Sequence, residues 1–205
     1  MAENINVVKR NGRGTVPLNI DKIHSMVGYA CEGLTGVSES QVEIQSGLQF
    51  YNNITTEEIQ QILINSANNL ITLDNPNYQF VAARLLLFGL RKEVFGQFNY
   101  IPLNELIEKN ITLGVYDKNI NQWYSTKELE KIDSYIKHKR DFDFTYAGLR
   151  QVMDKYLVQD RRTKQYFESP QMLYMMVALT LFAKEKENRL AWIKSYYDAI
   201  SQFYS

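Results

Sequence analysis

The chain has 205 residues, enough for one large domain or two small ones, and its 45% hydrophobic content is typical of a globular protein. Its 23 Lys and Arg residues balance 23 Asp and Glu residues, so no overall field draws it to nucleic acid or to an anionic membrane. A single cysteine excludes a disulfide framework, and no apolar run reaches the ~18 residues of a membrane span. We therefore expect a cytoplasmic protein that binds neither nucleic acid nor membrane.

The first segment predicts a small β-hairpin. Residues 5–10 alternate as in a strand, and Asn11-Gly12 is a strong turn signal. A second short strand follows near Thr15 to Leu18, and Pro17 marks it as an edge strand because proline cannot donate to a ladder.

Four helices are predicted next from apolar residues at helical spacing: from Asp21 with Asn19 or Asp21 as cap, Glu39 to Phe50, Thr56 to Ile71, and Tyr78 to about Phe95. Thr55 and Glu58 have the spacing of a capping box at the start of the third helix. The fourth helix is apolar nearly all round, so we expect it at the centre of the first domain. Residues 96–102 break the helical pattern, which predicts domains at 1–95 and 96–205.

The second half is predicted to be mainly helical with one hairpin, which runs from Tyr156 through Asp160 to Phe167. Its helices are predicted at Leu103 to Leu113, Thr126 to His138, Tyr146 to Tyr156, Pro170 to Ala183 and Glu187 to Tyr204. The predicted fold class is thus mainly α, with a small β-hairpin near the start.

Three cations could form a cradle for a polyphosphate. Lys9 and Arg10 end the first strand, and Lys22 lies in the first turn of the helix that follows the hairpin. The hairpin folds the strand back toward that helix, whose start adds free N–H groups with partial positive charge. The alternative is that these are solvated surface cations, and spacing alone favours that alternative.

Other polar residues have structural explanations of their own. Thr56 could present its hydroxyl to a ligand or belong to a helix cap, and Lys92 could simply offset the dipole of the fourth helix. Cys31 lies on the apolar side of the first helix, which indicates an inert core thiol. His24 and His138 lack metal-ligand spacing, and Asp141 with Asp143 has no visible partner base, so no self-contained catalytic constellation is present.

Several motifs in order carry a resemblance to the large subunit of class I ribonucleotide reductase of aerobic bacteria and phages. The ATP-cone at its start is similar to residues 7–12, 18–23, 78–84 and 90–92, the last being Leu90-Arg91-Lys92. The helical segment between cone and catalytic barrel resembles residues 138–146, 155–161 and 189–201. The resemblance covers essentially the whole chain.

The resemblance implies a cone of short antiparallel strands plus a four-helix bundle, which binds ATP as activator or dATP as inhibitor, with Mg²⁺ as a possible companion ion. It implies that Lys9 and Arg10 face the phosphates and that the segment from Val16 to Lys22 surrounds the nucleotide. Carried over residue by residue, the expected ATP or dATP site is Lys9, Arg10, Val16, Leu18, Asn19, Lys22, Thr56 and Lys92.

Two departures from the family bear on that site. Gly14-Thr15-Val16-Pro17 replaces a hairpin that often carries an acidic residue, which leaves open whether its contact is kept. Gln60 stands where some relatives have histidine, which leaves open how the site separates dATP from ATP.

The family chain continues into a ten-stranded barrel with the radical-bearing and redox-active cysteines, whereas this sequence stops at Ser205. By resemblance, the chain is therefore a regulatory portion that does not reduce ribonucleotides alone. Its expected partners are the C-terminal catalytic part of the large subunit and the radical-generating small subunit. The alternatives are a nucleotide-sensing transcriptional regulator, disfavoured by the lack of clustered cysteines and basic surplus, and a helical interaction module that binds no nucleotide.

Overall fold

A computed structural model describes residues 5–9 and 14–202 of the chain. Arg10 and the predicted turn at Asn11-Gly12 lie outside the described residues. The chain divides into two compact units: the first unit is Met1–Gly89 with Phe144–Leu149, and the second unit is Leu90–Asp143 with Arg150–Ser205. The predicted division into functional domains after residue 95 stays a prediction.

A small mixed sheet opens the first unit. Strand β1 (Asn6–Val8) pairs antiparallel with β2 (Thr15–Pro17), with Val7 opposite Val16. On its other side β1 pairs in parallel with β3 (Ile54–Thr55). The strand order β2-β1-β3 confirms the hairpin and the edge position of Pro17. The parallel strand β3 was not predicted.

Three helices and most of a fourth complete the first unit: α1 (Ile20–Cys31), α2 (Glu39–Gly47), α3 (Thr56–Asn69) and α4 (Tyr78–Phe95), whose residues from Leu90 onward belong to the second unit. Asn19 caps α1, and the predicted capping box of Thr55 and Glu58 is present at the start of α3. The prediction for α2 was too long. The chain leaves the helix at Gly47 because it must turn into β3, and Asn53 takes a positive φ of 65° on the way.

Helix α4 is largely buried, as expected for a helix that is apolar nearly all round. Its residues at Val81, Ala82, Leu85 and Leu87 are all fully buried. Near its start, the Tyr78 hydroxyl accepts the Ser38 N–H at 2.9 Å. Such bonds satisfy the polar groups that burial would otherwise leave without water.

One arginine of α4 closes the end of α1. The Arg84 guanidinium donates to the carbonyl oxygens of Ala30 at 3.2 Å and Glu32 at 2.7 Å. The last carbonyls of a helix have no partner within it, so a cation at that position satisfies them and offsets the helix dipole.

The second unit is mainly helical, as predicted. Its elements are α5 (Leu103–Thr112), α6 (Ile120–Trp123), α7 (Thr126–Asp133), a 3-10 helix (His138–Asp143), α8 (Tyr146–Lys155), the antiparallel hairpin β4 (Gln159–Asp160) and β5 (Gln165–Tyr166), α9 (Pro170–Leu181) and α10 (Arg189–Ser201).

Two helix predictions were wrong at their ends. The helix predicted from Thr126 to His138 stops at Asp133, and His138 instead begins the 3-10 helix. A distant contact fixes this break, since the Tyr197 hydroxyl accepts the Lys137 N–H at 2.7 Å. The last helix begins after Asn188, whose left-handed φ of 55° excludes the start predicted at Glu187.

Helix α9 carries apolar side chains nearly all round, and Pro170 at its first position suits a helix start. It is twelve residues long. Across residues 5–9 and 14–202, no helix is both long and apolar enough to traverse a bilayer.

Candidate functional site

The parallel pairing of β1 and β3 places two predicted site residues side by side. Val8 lies opposite Thr55 in the register, so the next residues along each chain are Lys9 and Thr56. Lys9 is exposed, and Thr56 is the first residue of α3 and half-buried. A strand end and a helix start that are 47 positions apart in sequence are thus brought together.

The hairpin adds an apolar surface beside Lys9. The Lys9 N–H donates to the Gly14 carbonyl at 3.0 Å, and the Leu18 N–H donates to the Ile5 carbonyl at 2.8 Å. Val16 and Leu18 are both half-buried, and their spacing of two puts them on the same side of the extended chain. The predicted residues of β2 and its continuation therefore line one face of the hairpin.

Helix α1 begins directly after this hairpin. The Asn19 side-chain oxygen accepts the Lys22 N–H at 2.9 Å, so Asn19 is the cap and Lys22 the third helical residue. Both side chains are exposed. The cap fixes the first turn of α1 and with it the position from which the Lys22 cation extends.

Two carboxylates of α3 already accept hydrogen bonds at the start of that helix. Glu58 accepts the N–H and the hydroxyl of Thr55, both at 2.8 Å, and the Thr56 hydroxyl donates to Glu57 at 3.0 Å. The Thr55 N–H and the Tyr51 hydroxyl lower the pKa of Glu58, so this carboxylate stays ionised. A phosphate at this sheet would consequently be held by the cations, not by the N-terminus of α3.

Six of the eight predicted residues therefore belong to the sheet and the two helix starts beside it: Lys9, Val16, Leu18, Asn19, Lys22 and Thr56. Arg10 lies outside the described residues. Lys92 belongs to the second unit, in the last turn of α4, and its Nζ lies 4.2 Å from the centroid of the Phe98 ring. The assignment of all eight residues to a nucleotide site stays a prediction.

Gln60, one of the departures from the family pattern, has a structural partner. Its amide nitrogen donates to the Leu85 carbonyl at 2.6 Å and so links α3 to α4. The absence of a side chain at Gly89 allows this approach, because a Cβ there would lie 3.3 Å from the Gln60 Cγ.

The fold accounts for the surroundings of both Cys31 and His24. Cys31 is buried, and burial followed by the charge of Glu39 raises the pKa of its thiol to about 11, which confirms an inert core residue. His24 on α1 pairs with Glu43 on α2 at 2.8 Å. The hydrogen bond and charge of Glu43 raise the pKa of His24.

The sequence did not predict a buried polar cluster in the second unit. Arg91 donates to the Tyr100 hydroxyl, which donates to Asp141 at 3.2 Å, and the His138 ring stacks on Tyr100 with centroids 3.6 Å apart. Burial raises the pKa of Asp141 to about 7, while burial and the Arg91 charge lower the pKa of His138 to about 4. The available signal was Arg91 itself, because a charge in a nearly all-apolar helix requires an internal partner.

Two protein families match the chain. The ATP cone domain matches residues 5–93, and the ribonucleotide reductase all-alpha domain matches residues 142–205. The first match covers the sheet and α1 to α3 with most of α4, and the second covers α8 to α10 with their hairpin. The chain therefore matches an ATP cone domain in its first part and a ribonucleotide reductase all-alpha domain in its last part.

Individual relatives agree with both family matches. The chain is 45% identical over 204 residues to the ribonucleoside-diphosphate reductase 1 subunit alpha of Salmonella typhimurium and 44% identical to that of Escherichia coli, with 99% of the chain and 27% of each relative covered. It is 37% identical over 201 residues to the subunit alpha of Enterobacteria phage T4, covering 26% of that relative. The chain spans about a quarter of the length of these relatives. Nearly the whole chain thus corresponds to the N-terminal quarter of class I ribonucleotide reductase alpha subunits.

Replacing each of the two adjacent threonines at the start of α3 with alanine should lower the free energy of unfolding by different amounts. Thr55→Ala removes the hydroxyl that accepts the Glu58 N–H, while the backbone N–H of residue 55 still donates to the Glu58 carboxylate, so we expect the free energy of unfolding to fall by ~1 kcal/mol. Thr56→Ala removes only an exposed bond to Glu57 and should cost less than about half as much. Urea denaturation of the two variants measures both values, and equal losses would contradict the capping assignment.

The two histidines should titrate far apart. We expect a midpoint near pH 4 for His138 and one above 6.5 for His24, measured from the ring C–H resonances by NMR. Because the folded pKa of His138 lies below its unfolded value, its stabilising contribution is complete above pH ~6.5 and is lost as the pH falls through about 4. A common midpoint near 6.5 would contradict the burial of His138.

Proposed function

We propose that this chain is the nucleotide-sensing portion of a ribonucleoside-diphosphate reductase large subunit, which binds ATP or dATP through its cone. The observation that carries the proposal is the parallel pairing of β1 with β3, which brings Lys9 to Thr56 beside the hairpin that leads to Lys22. Lys9 and Thr56, which are 47 positions apart in the sequence, are thus neighbours within the region that matches the ATP cone.

The proposed site divides by chemistry. Lys9, Arg10 and Lys22 supply the positive charge that a triphosphate requires, while Glu57 and Glu58 at the start of α3 exclude phosphate from that helix end. A Mg²⁺ ion bound with the nucleotide would be held chiefly by the phosphates and by water, because Mg²⁺ usually keeps several waters at phosphate sites.

The base has an apolar surface available. Val16 and Leu18 lie on one side of the hairpin and are only half-buried, so a ligand can contact them. An adenine ring packed there would bury apolar area worth about 25 cal/mol per Å², and the Asn19 amide beside it could hydrogen-bond the nucleoside.

Lys92 is the proposed eighth contact. It follows Arg91 in α4, and Arg91 belongs to the buried cluster with Tyr100 and Asp141. A nucleotide that drew on the Lys92 cation would compete with its contact to the Phe98 ring.

In this proposal, a different polypeptide segment carries out the reduction of ribonucleotides. The single cysteine, Cys31, is buried on the cone's own helix, so thiol-based radical and redox steps require residues outside these 205. We propose that the remaining part of the large subunit supplies them, that the radical-generating small subunit completes the enzyme, and that ATP and dATP at the cone set its activity in opposite directions.

Titration calorimetry with ATP and with dATP tests the site. We expect Lys9→Ala to weaken both nucleotides by about tenfold or more, which is ~1.4 kcal/mol of binding free energy, because it removes a charge-assisted phosphate contact. Lys118→Ala is the matched control, since Lys118 is an exposed lysine of the second unit and should leave affinity unchanged.

Absence of heat with both nucleotides, for protein whose circular dichroism shows it folded, would contradict the proposal and favour an interaction module that binds no nucleotide. An equal loss in the Lys118→Ala control would show a general charge effect in place of a site, and this too would count against the assignment.

A further inference from the structure

A buried carboxylate of the second unit receives hydrogen-bond donors from two sides. Asp141, in the 3-10 helix, is 1% exposed, and the Tyr100 hydroxyl donates to its Oδ2 at 3.2 Å. Arg91 donates in turn to that hydroxyl and is itself buried. Because Arg91 donates to the phenol oxygen, the single phenol hydrogen is left to point at Asp141. This chain of donors is the first relay.

A second relay reaches Asp141 from α9 and α10. The Tyr197 hydroxyl accepts the Lys137 N–H at 2.7 Å and donates to the Gln171 Oε1 at 2.6 Å. Since the Gln171 oxygen is occupied, its amide nitrogen is the group left for the Asp141 carboxyl. That nitrogen makes no hydrogen bond of ordinary geometry with any residue that the structure describes, so the second relay ends in a looser contact than the first.

The two carboxyl oxygens of Asp141 therefore differ. Oδ2 accepts the Tyr100 hydrogen, whereas Oδ1 has no partner of ordinary hydrogen-bond geometry within the described part of the chain. Donors on both sides favour the ionised carboxylate, which only accepts. Burial favours the neutral acid, since a charge away from water is costly. The two influences oppose each other, and Oδ1 is the oxygen at which a proton fits.

Charged and titratable groups face Asp141 from the elements packed around it: Arg91 of α4, Tyr100 after α4, His138 of the same 3-10 helix, Tyr174 of α9 and Tyr197 of α10. Burial is the largest influence and raises the pKa of Asp141 to about 7, although the relay donors and the Arg91 charge lower it. Burial also lowers the pKa of His138 to about 4 and raises the pKa values of the three tyrosines. Of these groups, Asp141 is therefore the one that changes charge between about pH 5 and 8.

The remaining charged residues of the 3-10 helix are engaged elsewhere or face solvent. Arg140 pairs with Asp198 at 2.9 Å, and Lys139 and Asp143 are exposed. The titration of Asp141 is thus set by the buried cluster and not by the surface charges of its own helix.

We propose that Asp141 is a proton-operated switch of the second unit, which takes up one proton from solvent at Oδ1 and releases it again. The ionised form accepts donors from both relays. The neutral form keeps the Tyr100 bond and gives up the Gln171 contact, so the two forms differ in how firmly the 3-10 helix is tied to α9. This inference does not rest on nucleotide binding at the cone.

Unfolding of the second unit as a function of pH tests the switch. The folded pKa of Asp141 lies above its unfolded value, so the stability contributed by the proton is complete below about pH 4 and is lost as the pH rises through about 7. Asp141→Asn resembles the neutral acid and cannot titrate. Relative to this variant, the unfolding constant of the wild type should rise about tenfold per pH unit from about pH 5 to 6.5 and level off above about 7.

The fluorescence of the two tryptophans, followed during urea denaturation, makes this measurement specific. Both residues, Trp123 and Trp192, belong to the second unit, so their signal reports on that unit alone. Asp143→Asn is the matched control, because Asp143 is an exposed aspartate of the same 3-10 helix, and its pH profile should follow the wild type. Parallel profiles of the wild type and Asp141→Asn would overturn the switch, as would an equal loss of the pH slope in Asp143→Asn.

A direct titration keeps the proposal testable even where Asp141→Asn does not fold. The carboxyl carbon of Asp141, followed by NMR, should titrate with a midpoint near pH 7 in the wild type. In Tyr100→Phe the midpoint should move to higher pH, because the ionised carboxylate loses a donor. A wild-type midpoint below about pH 5, or a Tyr100→Phe midpoint equal to or below that of the wild type, would overturn the switch.

Discussion

The fold of the first unit depends on a parallel pairing only two residues long. Val7 with Ile54 and Val8 with Thr55 hold the amino-terminal strand to the start of α3, and the side chains of Val7 and Ile54 are buried. Without this pairing the hairpin would be an isolated two-stranded ribbon, which is marginal in water. The same pairing brings Lys9 to Thr56, so the stability of the sheet and the geometry of the proposed nucleotide site have one origin.

The division of charge follows from that arrangement. The start of α3 is capped by its own carboxylate, Glu58, and the start of α1 by the neutral Asn19. Each cap stabilises a helix at a modest energy, and the acidic cap also repels anions. In the proposed site, anion binding would therefore fall to cations on exposed positions, such as Lys9 and Lys22.

The sequence predicts helices better than short strands and helix ends. The ends of α4 matched the prediction because its long apolar pattern and flanking breaks are local signals. Strand β3 has two residues and no periodicity, so only its distant partner β1 defines it. The break before His138 is likewise set by a residue 60 positions away, Tyr197, which accepts the Lys137 N–H.

For the site, local sequence signals group only Lys9, Arg10 and Lys22, and the family resemblance adds the other residues. Lys9 and Lys22 follow from strand and helix signals, while the adjacency of Lys9 and Thr56 requires the unpredicted pairing with β3. The buried contact of Arg91 with Tyr100 could not be read from spacing, because it depends on the path of the chain after α4.

Hydrogen–deuterium exchange with and without saturating ATP tests the central claim most directly, that one edge of the first unit binds the nucleotide. We predict that saturating ATP slows exchange chiefly in residues 5–9, 14–23 and 51–60. Exchange in α5 and α7, the internal references, should not change. No change in those three segments under saturating ATP, or protection confined to the second unit, would contradict it.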